Sequence, residues 1–161
     1  MNEIRAKYGS PKQPIVIALN ALADDGYRQS GSIDNTEPGF LDALVQVQVR
    51  VTAGAPAGDC NCLIYAYGTS GGGAPYSGGA SGDDAAFGSL AGELITNCPL
   101  LGIVSLDTNN DVFTSDVFSV AAAFGGILPE DWGVIVMNQS GRALASAGNS
   151  AWYQGVYAES Q

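Results

Sequence analysis

Histidine is absent from all 161 residues of the chain, which removes the side chain that most often serves as a base near neutral pH. A serine or cysteine nucleophile would then need a lysine or a terminal amine as its base, and no Ser-x-x-Lys sequence occurs. The expectation is a protein that is not an enzyme. Basic residues are scarce as well: six Lys and Arg stand against sixteen Asp and Glu, for a net charge of −10. Arg5, Lys7 and Lys12 fall within the first twelve residues beside Glu3, leaving three cations and fifteen carboxylates for the remainder. A body of that sign repels phosphate and has no clustered Lys/Arg face, which excludes nucleic acid as its direct partner.

Long apolar runs are missing too. No stretch approaches the ~18 consecutive apolar residues of a membrane helix, and the first residues lack the apolar core of a secretory signal. The protein is therefore expected to be made in a cytoplasm, neither exported by a signal peptide nor embedded in a membrane. Cysteine is limited to Cys60, Cys62 and Cys98. The count is odd, and a C-x-C pair points to one face of a strand with poor disulfide geometry, so partly buried thiols and a reducing site of synthesis follow. Without histidine, a zinc site would need carboxylates to complete it, outside the common structural sets. No metal and no cofactor is expected.

What the chain does hold is a core: hydrophobic residues make up 46% and charged residues only 14%, so the uncharged surface falls to Ser, Thr, Asn, Gln and Gly. Period-two alternation is clearest in Leu44-Val45-Gln46-Val47-Gln48-Val49-Arg50-Val51, which predicts a half-buried antiparallel strand with the valines inward. Further strands are expected at residues 15–19, 63–67, 100–106, 112–120, 132–138 and 152–158, with a short one within 28–33, bounded by Gly, Pro, Asn or Asp clusters. Helical periodicity is limited to a turn or two within 85–95 and 119–124, because Gly88, Gly92, Gly125 and Gly126 oppose anything longer. Many short strands with almost no helix predict an all-β fold, an antiparallel β-sandwich of jelly-roll type with about eight strands. One domain over 13–161 is expected, preceded by an extended basic arm over 1–12. Residues 68–82 read as a glycine-rich mobile loop, ordered only where a partner or a second copy packs on it.

Several constellations fall short of chemistry. Asp107, Asn109 and Asp111 have the spacing that opens a calcium loop, but Val112 replaces the required glycine and Phe118 the closing glutamate, so an Asx-rich hairpin turn is the better reading. The carboxylate pairs Asp24-Asp25, Asp83-Asp84 and Glu130-Asp131 sit in turn-like contexts as solvated charge, where a glycosidase would need two carboxylates across a cleft. The glycine-rich segment lacks the Gly-Lys-Ser/Thr ending of a phosphate loop. Among Tyr65, Tyr67, Tyr76, Trp132, Trp152, Tyr153 and Tyr157, alternation assigns most to core or cross-strand pairs; sugar stacking would need Trp132, Trp152 and Tyr157 exposed and coplanar. The arm, opposite in charge to its own body, reads either as a frayed terminus or as a segment that docks on a neighbouring copy. Arg5, Lys7 and Tyr8 in the arm and Tyr76 in the loop are the candidate partner contacts.

Two regions carry a wider pattern. The first is Asn2-Glu-Ile-Arg-Ala-Lys-Tyr-Gly9 with Ile15-Val-Ile-Ala-Leu-Asn-Ala-Leu-Ala23, joined by Asp34-Asn35-Thr36 and Phe40-Leu-Asp-Ala43. The second is Phe118-Ser-Val-Ala-Ala-Ala-Phe-Gly-Gly-Ile-Leu-Pro-Glu-Asp-Trp-Gly-Val-Ile-Val136, then Asn138-Gln-Ser-Gly141 and Tyr153-Gln-Gly-Val-Tyr-Ala158. Over about half of the chain these segments resemble small virion proteins of tailed bacteriophages and prophages. The resemblance implies a virion structural component. By size, acidity and fold class the chain is also similar to jelly-roll cement, or decoration, proteins on the outer surface of capsids. That similarity implies the major capsid protein and further copies of itself, as dimer or trimer, as partners, without nucleic acid or membrane. A tail, neck or fibre component with a carbohydrate-binding β-sandwich is the alternative, and a hydrolase of host polymers a more distant one.

Overall fold

The computed structural model describes residues 3–9, 11–37, 39–52, 59–88, 95–107 and 111–160. In chain order its strands are β1 Ile4–Tyr8, β2 Gln13–Ile15, β3 Tyr27–Gln29, β4 Ile33–Asp34, β5 Asp42–Arg50, β6 Asn61–Thr69, β7 Ala85–Ala86, β8 Leu100–Ser105, β9 Val112–Thr114, β10 Phe118–Ser119, β11 Asp131–Gln139 and β12 Ser150–Ser160. One helical turn, α1 Val120–Ala123, follows β10. The strands form two antiparallel sheets. The first runs β1-β12-β5-β10, with β2 also on β12 and β9 also on β5; the second runs β7-β3-β11-β6-β8, with β4 also on β11.

The alternation of β5 explains how the two sheets meet. Ala43, Val45, Val47 and Val49 are fully buried, and they share one core with Cys62, Ile64 and Ala66 of β6 and Trp132, Val134 and Val136 of β11. Each valine or isoleucine among them contributes on the order of 1.5–3 kcal/mol when removed from water. Strand β11 is buried at every position from Trp132 to Asn138, because its second face is covered as well. There Ile135 and Tyr67 pack with Ala80, Phe87, Ile95 and Cys98 in a smaller cluster. A Cβ on Gly133 would overlap the Tyr67 ring, so glycine at that position is what admits the tyrosine beneath the strand.

The chain is all-β with two packed sheets, but the described residues hold twelve strands where about eight are expected. Apart from β1, a five-residue strand within the expected arm, the surplus strands span two or three residues, too short for period two to register. The strand expected over 112–120 is split into β9 and β10, since Ser115 turns its side chain into the ladder: its Oγ accepts from Val47 N at 2.9 Å and donates to Asp116 O at 2.6 Å. The strand expected over 15–19 moves N-terminally and survives only as β2, with Ala18 N donating to the Asp84 side chain at 3.0 Å instead of to a strand. Within 85–95, Ala85–Ala86 pairs with Arg28 and Gln29 as β7 and Ile95 opens a 3-10 turn; residues 89–94 lie outside those described. The turn within 119–124 forms as α1, capped by Ser119 Oγ accepting from Ala122 N at 3.0 Å.

The glycine-rich segment is a second correction. Residues 68–82 fold back on their own sheet, with a 3-10 turn at Ser77–Gly79 and Tyr76 set edge-on against Tyr67 at 5.4 Å between ring centroids. Gly82, at φ +80°, sits where a Cβ would meet the Tyr76 ring at 2.7 Å. No second copy is needed to order the segment, because the outer face of β6 and β11 supplies the apolar surface.

Candidate functional site

The titratable groups are dispersed. Among the described residues no group of three or more Cys, Asp or Glu is placed to hold a metal ion. Of the calcium-like spacing, Asn109 lies outside the described residues. Asp24 and Asp25 border a small cleft of about 210 Å³ with Asp59 and Gln139, where Asp24 Oδ1 accepts from Gly141 N at 2.8 Å. Asp131 lies at the other end of β11 and faces Asp34 across the β4–β11 register; burial first, then the charges of Asp34 and Glu130, push its carboxyl up. Asp84 accepts from Arg28 Nε at 2.7 Å in a half-buried ion pair. The three sequence-adjacent pairs thus lie apart and do not face one another, although Asp131 belongs to β11 and Asp24 and Asp25 share their cleft with Asp59.

Two of the three thiols, Cys62 and Cys98, are inert by position. Burial raises Cys62 to about 12, and its Sγ donates to Asn138 Oδ1 at 3.7 Å. Cys98 is likewise raised by burial and donates to Ser77 O at 3.7 Å. Neither is poised as a nucleophile, which requires a lowered pKa and access.

Two surface features that include charged side chains remain, both on the first sheet. One is the pairing of β1 with the end of β12, in the register Ile4↔Ser160 to Tyr8↔Val156. Strand β5 pairs with β12 only as far as Val156, so Tyr157 to Ser160 have β1 as their sole strand partner among the described residues. Every residue of β1 is exposed, Ile4 at 76% and Tyr8 at 63%. The ribbon is held by Lys7 Nζ on Glu159 at 2.6 Å, with the ammonium 5.9 Å from the centre of the Tyr157 ring. Arg5 pairs with its neighbour Glu3. Arg5, Lys7 and Tyr8 are therefore brought together on one ribbon, whereas Tyr76 lies half-buried against the second sheet and is not part of it.

The other feature is a cavity of about 280 Å³ on the outward face of the first sheet, lined by Lys12, Leu44, Gln46, Val117, Trp152 and Gln154. Strand parity builds it: Trp152 pairs with Gln46 and Gln154 with Leu44 across β12 and β5, all on the face opposite the valines. Lys12, just before β2, places its ammonium 4.3 Å from the centre of the Trp152 ring. Trp132 and Tyr157 do not join Trp152. Trp132 is buried in the core, edge-on to Tyr153 at 5.2 Å, and Tyr157 tilts against Phe40 at 6.5 Å. The coplanar aromatic trio that sugar stacking across all three would need does not form, and the single outward tryptophan acquires amide and ammonium neighbours instead. The alternation of Trp152-Tyr153-Gln154 signals the outward pair, but the β5–β12 register that adds Gln46 joins residues more than a hundred positions apart. A wider cleft of about 380 Å³ lies between the glycine-rich segment and residues 124–129, walled by Thr69, Pro75, Phe124, Ile127 and Pro129 without a charged side chain.

No family model, curated protein or solved structure matches this chain.

Proposed function

We propose that this chain is a non-enzymatic structural protein of a tailed-phage virion, a jelly-roll cement protein on the outer surface of the capsid. In this reading many copies bind the major capsid protein, bridge neighbouring subunits and help the DNA-filled head resist internal pressure. Binding only to the assembled shell stabilises that shell by mass action, and copies associate as dimers or trimers about its symmetry axes.

The observation that carries the reading is the β1–β12 ribbon. Two-stranded ribbons are marginal in water by themselves, and an exposed strand edge is a template for pairing with another chain. Here the β1 edge and the far edge of Tyr157 to Ser160 both lack a further strand among the described residues, and Ile4 and Tyr8 add apolar area. The arm is net basic and the body acidic, so the arm is drawn toward a neighbouring copy, although Arg5 and Lys7 already hold Glu3 and Glu159 of their own chain. The test compares the full chain with a variant lacking residues 1–8 for saturable binding to heads that lack the protein. Full-chain saturation with sharply reduced occupancy by the variant is expected; equal occupancy by the two would remove the ribbon from the contact.

A tail, neck or fibre component is the second reading, favoured by one observation, the Trp152 cavity on an uncharged sheet face. Binding to host polysaccharide with no binding to heads would select it.

A further inference from the structure

We propose that the Trp152 cavity is a subsite for one acidic sugar unit of a glycan, a pyranose ring bearing a carboxylate. The argument starts from what the fold does not require. Outward positions of β5 and β12 face away from the core, whose aromatic volume is supplied by Trp132 and Tyr153. Trp152 is nonetheless large, apolar and outward, and it gathers Leu44 and a 51%-exposed Val117 beside it. A flat indole face with aliphatic flanks suits the C–H face of a sugar ring.

The polar groups around it are oriented and open. Gln154 Nε2 donates to Gly9 O at 2.8 Å and Gln46 Nε2 donates to Ser115 O at 3.3 Å, so each amide is anchored through its nitrogen. Neither carbonyl oxygen accepts a hydrogen bond among the described residues, and neither is a buried orphan. Two fixed acceptors beside an aromatic floor are complementary to ring hydroxyls, which donate. They oppose phosphate, whose oxygens can only accept at neutral pH or nearly so.

Lys12 decides the charge of the ligand. Lys7, Arg5 and Arg28 each hold a carboxylate. Lys12 has none among the described residues, although the chain carries sixteen acidic side chains; its ammonium rests over the Trp152 ring. A carboxylate on the ligand draws that ammonium off the indole face into a charge-assisted hydrogen bond, which opens the face to the sugar ring while its hydroxyls meet Gln46 and Gln154. The cavity is slightly smaller than the ~300–1,000 Å³ of sites for drug-sized ligands, a size that suits one sugar unit of a longer chain. The inference holds whether the protein sits on head or tail, because the cavity uses Lys12 and β12 and not the β1 edge.

The test is titration of the full chain with a glucuronate-containing oligosaccharide and with its carboxyl-reduced counterpart, followed by the Trp152 indole N–H resonance and by calorimetry. Saturable binding of the acidic oligosaccharide with a shift at Trp152 is expected. Lys12→Gln should weaken it about tenfold, the scale of one lost charged hydrogen bond, and leave the weaker binding of the reduced oligosaccharide unchanged. Trp152→Ala should abolish both; Trp152→Phe, which keeps an aromatic floor, should restore part. Equal affinity for the acidic and reduced oligosaccharides, an unaffected Lys12→Gln variant, or no shift at Trp152 would each overturn the proposal. Head binding by Trp152→Phe, a residue outside the arm, is expected to match the unmodified chain, which keeps this outcome separate from the capsid test.

Discussion

Asn138, fully buried at the end of β11, closes a junction that no strand pairing provides. Its Nδ2 is shared among the carbonyls of Leu22, Ala23 and Arg142 at 2.7–3.1 Å, and its Oδ1 accepts from Ser140 N at 3.2 Å and Ser140 Oγ at 2.7 Å. Replacing it by alanine leaves several buried backbone groups unpaired, each costing ~1–3 kcal/mol. Asn138→Ala is expected to destabilise the fold by at least about 3 kcal/mol in denaturant melts. In the sequence this residue reads as an ordinary turn former in Asn138-Gln-Ser-Gly141, since nothing local reveals that its partners come from residues 22 and 23. Asp84 gives a pH signature. Burial alone would raise its carboxyl, but the Arg28 hydrogen bond, the Ala18 N–H and the Arg28 charge together hold it below its ordinary 3.8. Because the folded-state pKa is depressed, the stabilisation is present above that ordinary value and is lost as pH falls through the folded pKa. Thermal melts should show Asp84→Asn less stable than the unmodified chain at neutral pH, with the difference shrinking below about pH 4; a constant difference would remove this carboxylate from the acid response.

Among the elements, β5 was the most legible, because its period of two is uninterrupted and one face is apolar. Strands β6, β8, β11 and β12 are recognisable for related reasons, although β11 is buried on both faces and shows no alternation from Val134 to Met137. The missed elements are those decided by partners distant in sequence. Strand β7 exists because Arg28 and Gln29 offer it an edge, and the glycine-rich segment is ordered by Tyr76 on Tyr67. At the candidate sites the residue types of the arm were readable, but its seat on β12 was not. The Trp152 cavity needed the register of two strands far apart in the chain. The exposure of β1 leads to a prediction at this scale. Its amides from Ile4 to Tyr8 should exchange with solvent much faster than those of β5 or β11, since few buried contacts hold it. Removing residues 1–8 should leave the melting curve cooperative and shift it only slightly, because a solvated ion pair such as Lys7–Glu159 contributes ~0–1 kcal/mol. A collapse of the fold in that variant would show that β1 is structural.

For the molecule as a whole, the decisive property is the separation of charge between a basic first segment and an acidic remainder. Like-charged bodies keep free copies dispersed; in the proposed cement role the arm is the one region of each copy attracted to another. Attachment that depends on this attraction should weaken as salt is raised beyond physiological strength, where the Debye length is about 8 Å; salt-insensitive occupancy would instead assign the contact to apolar and backbone groups. The most direct measurement of the central claim is to saturate heads that lack this protein with the purified full chain and record the temperature at which they release DNA. A cement role predicts saturable occupancy and a higher release temperature than for untreated heads. Saturation with no change in release temperature, or no binding at all, would contradict it.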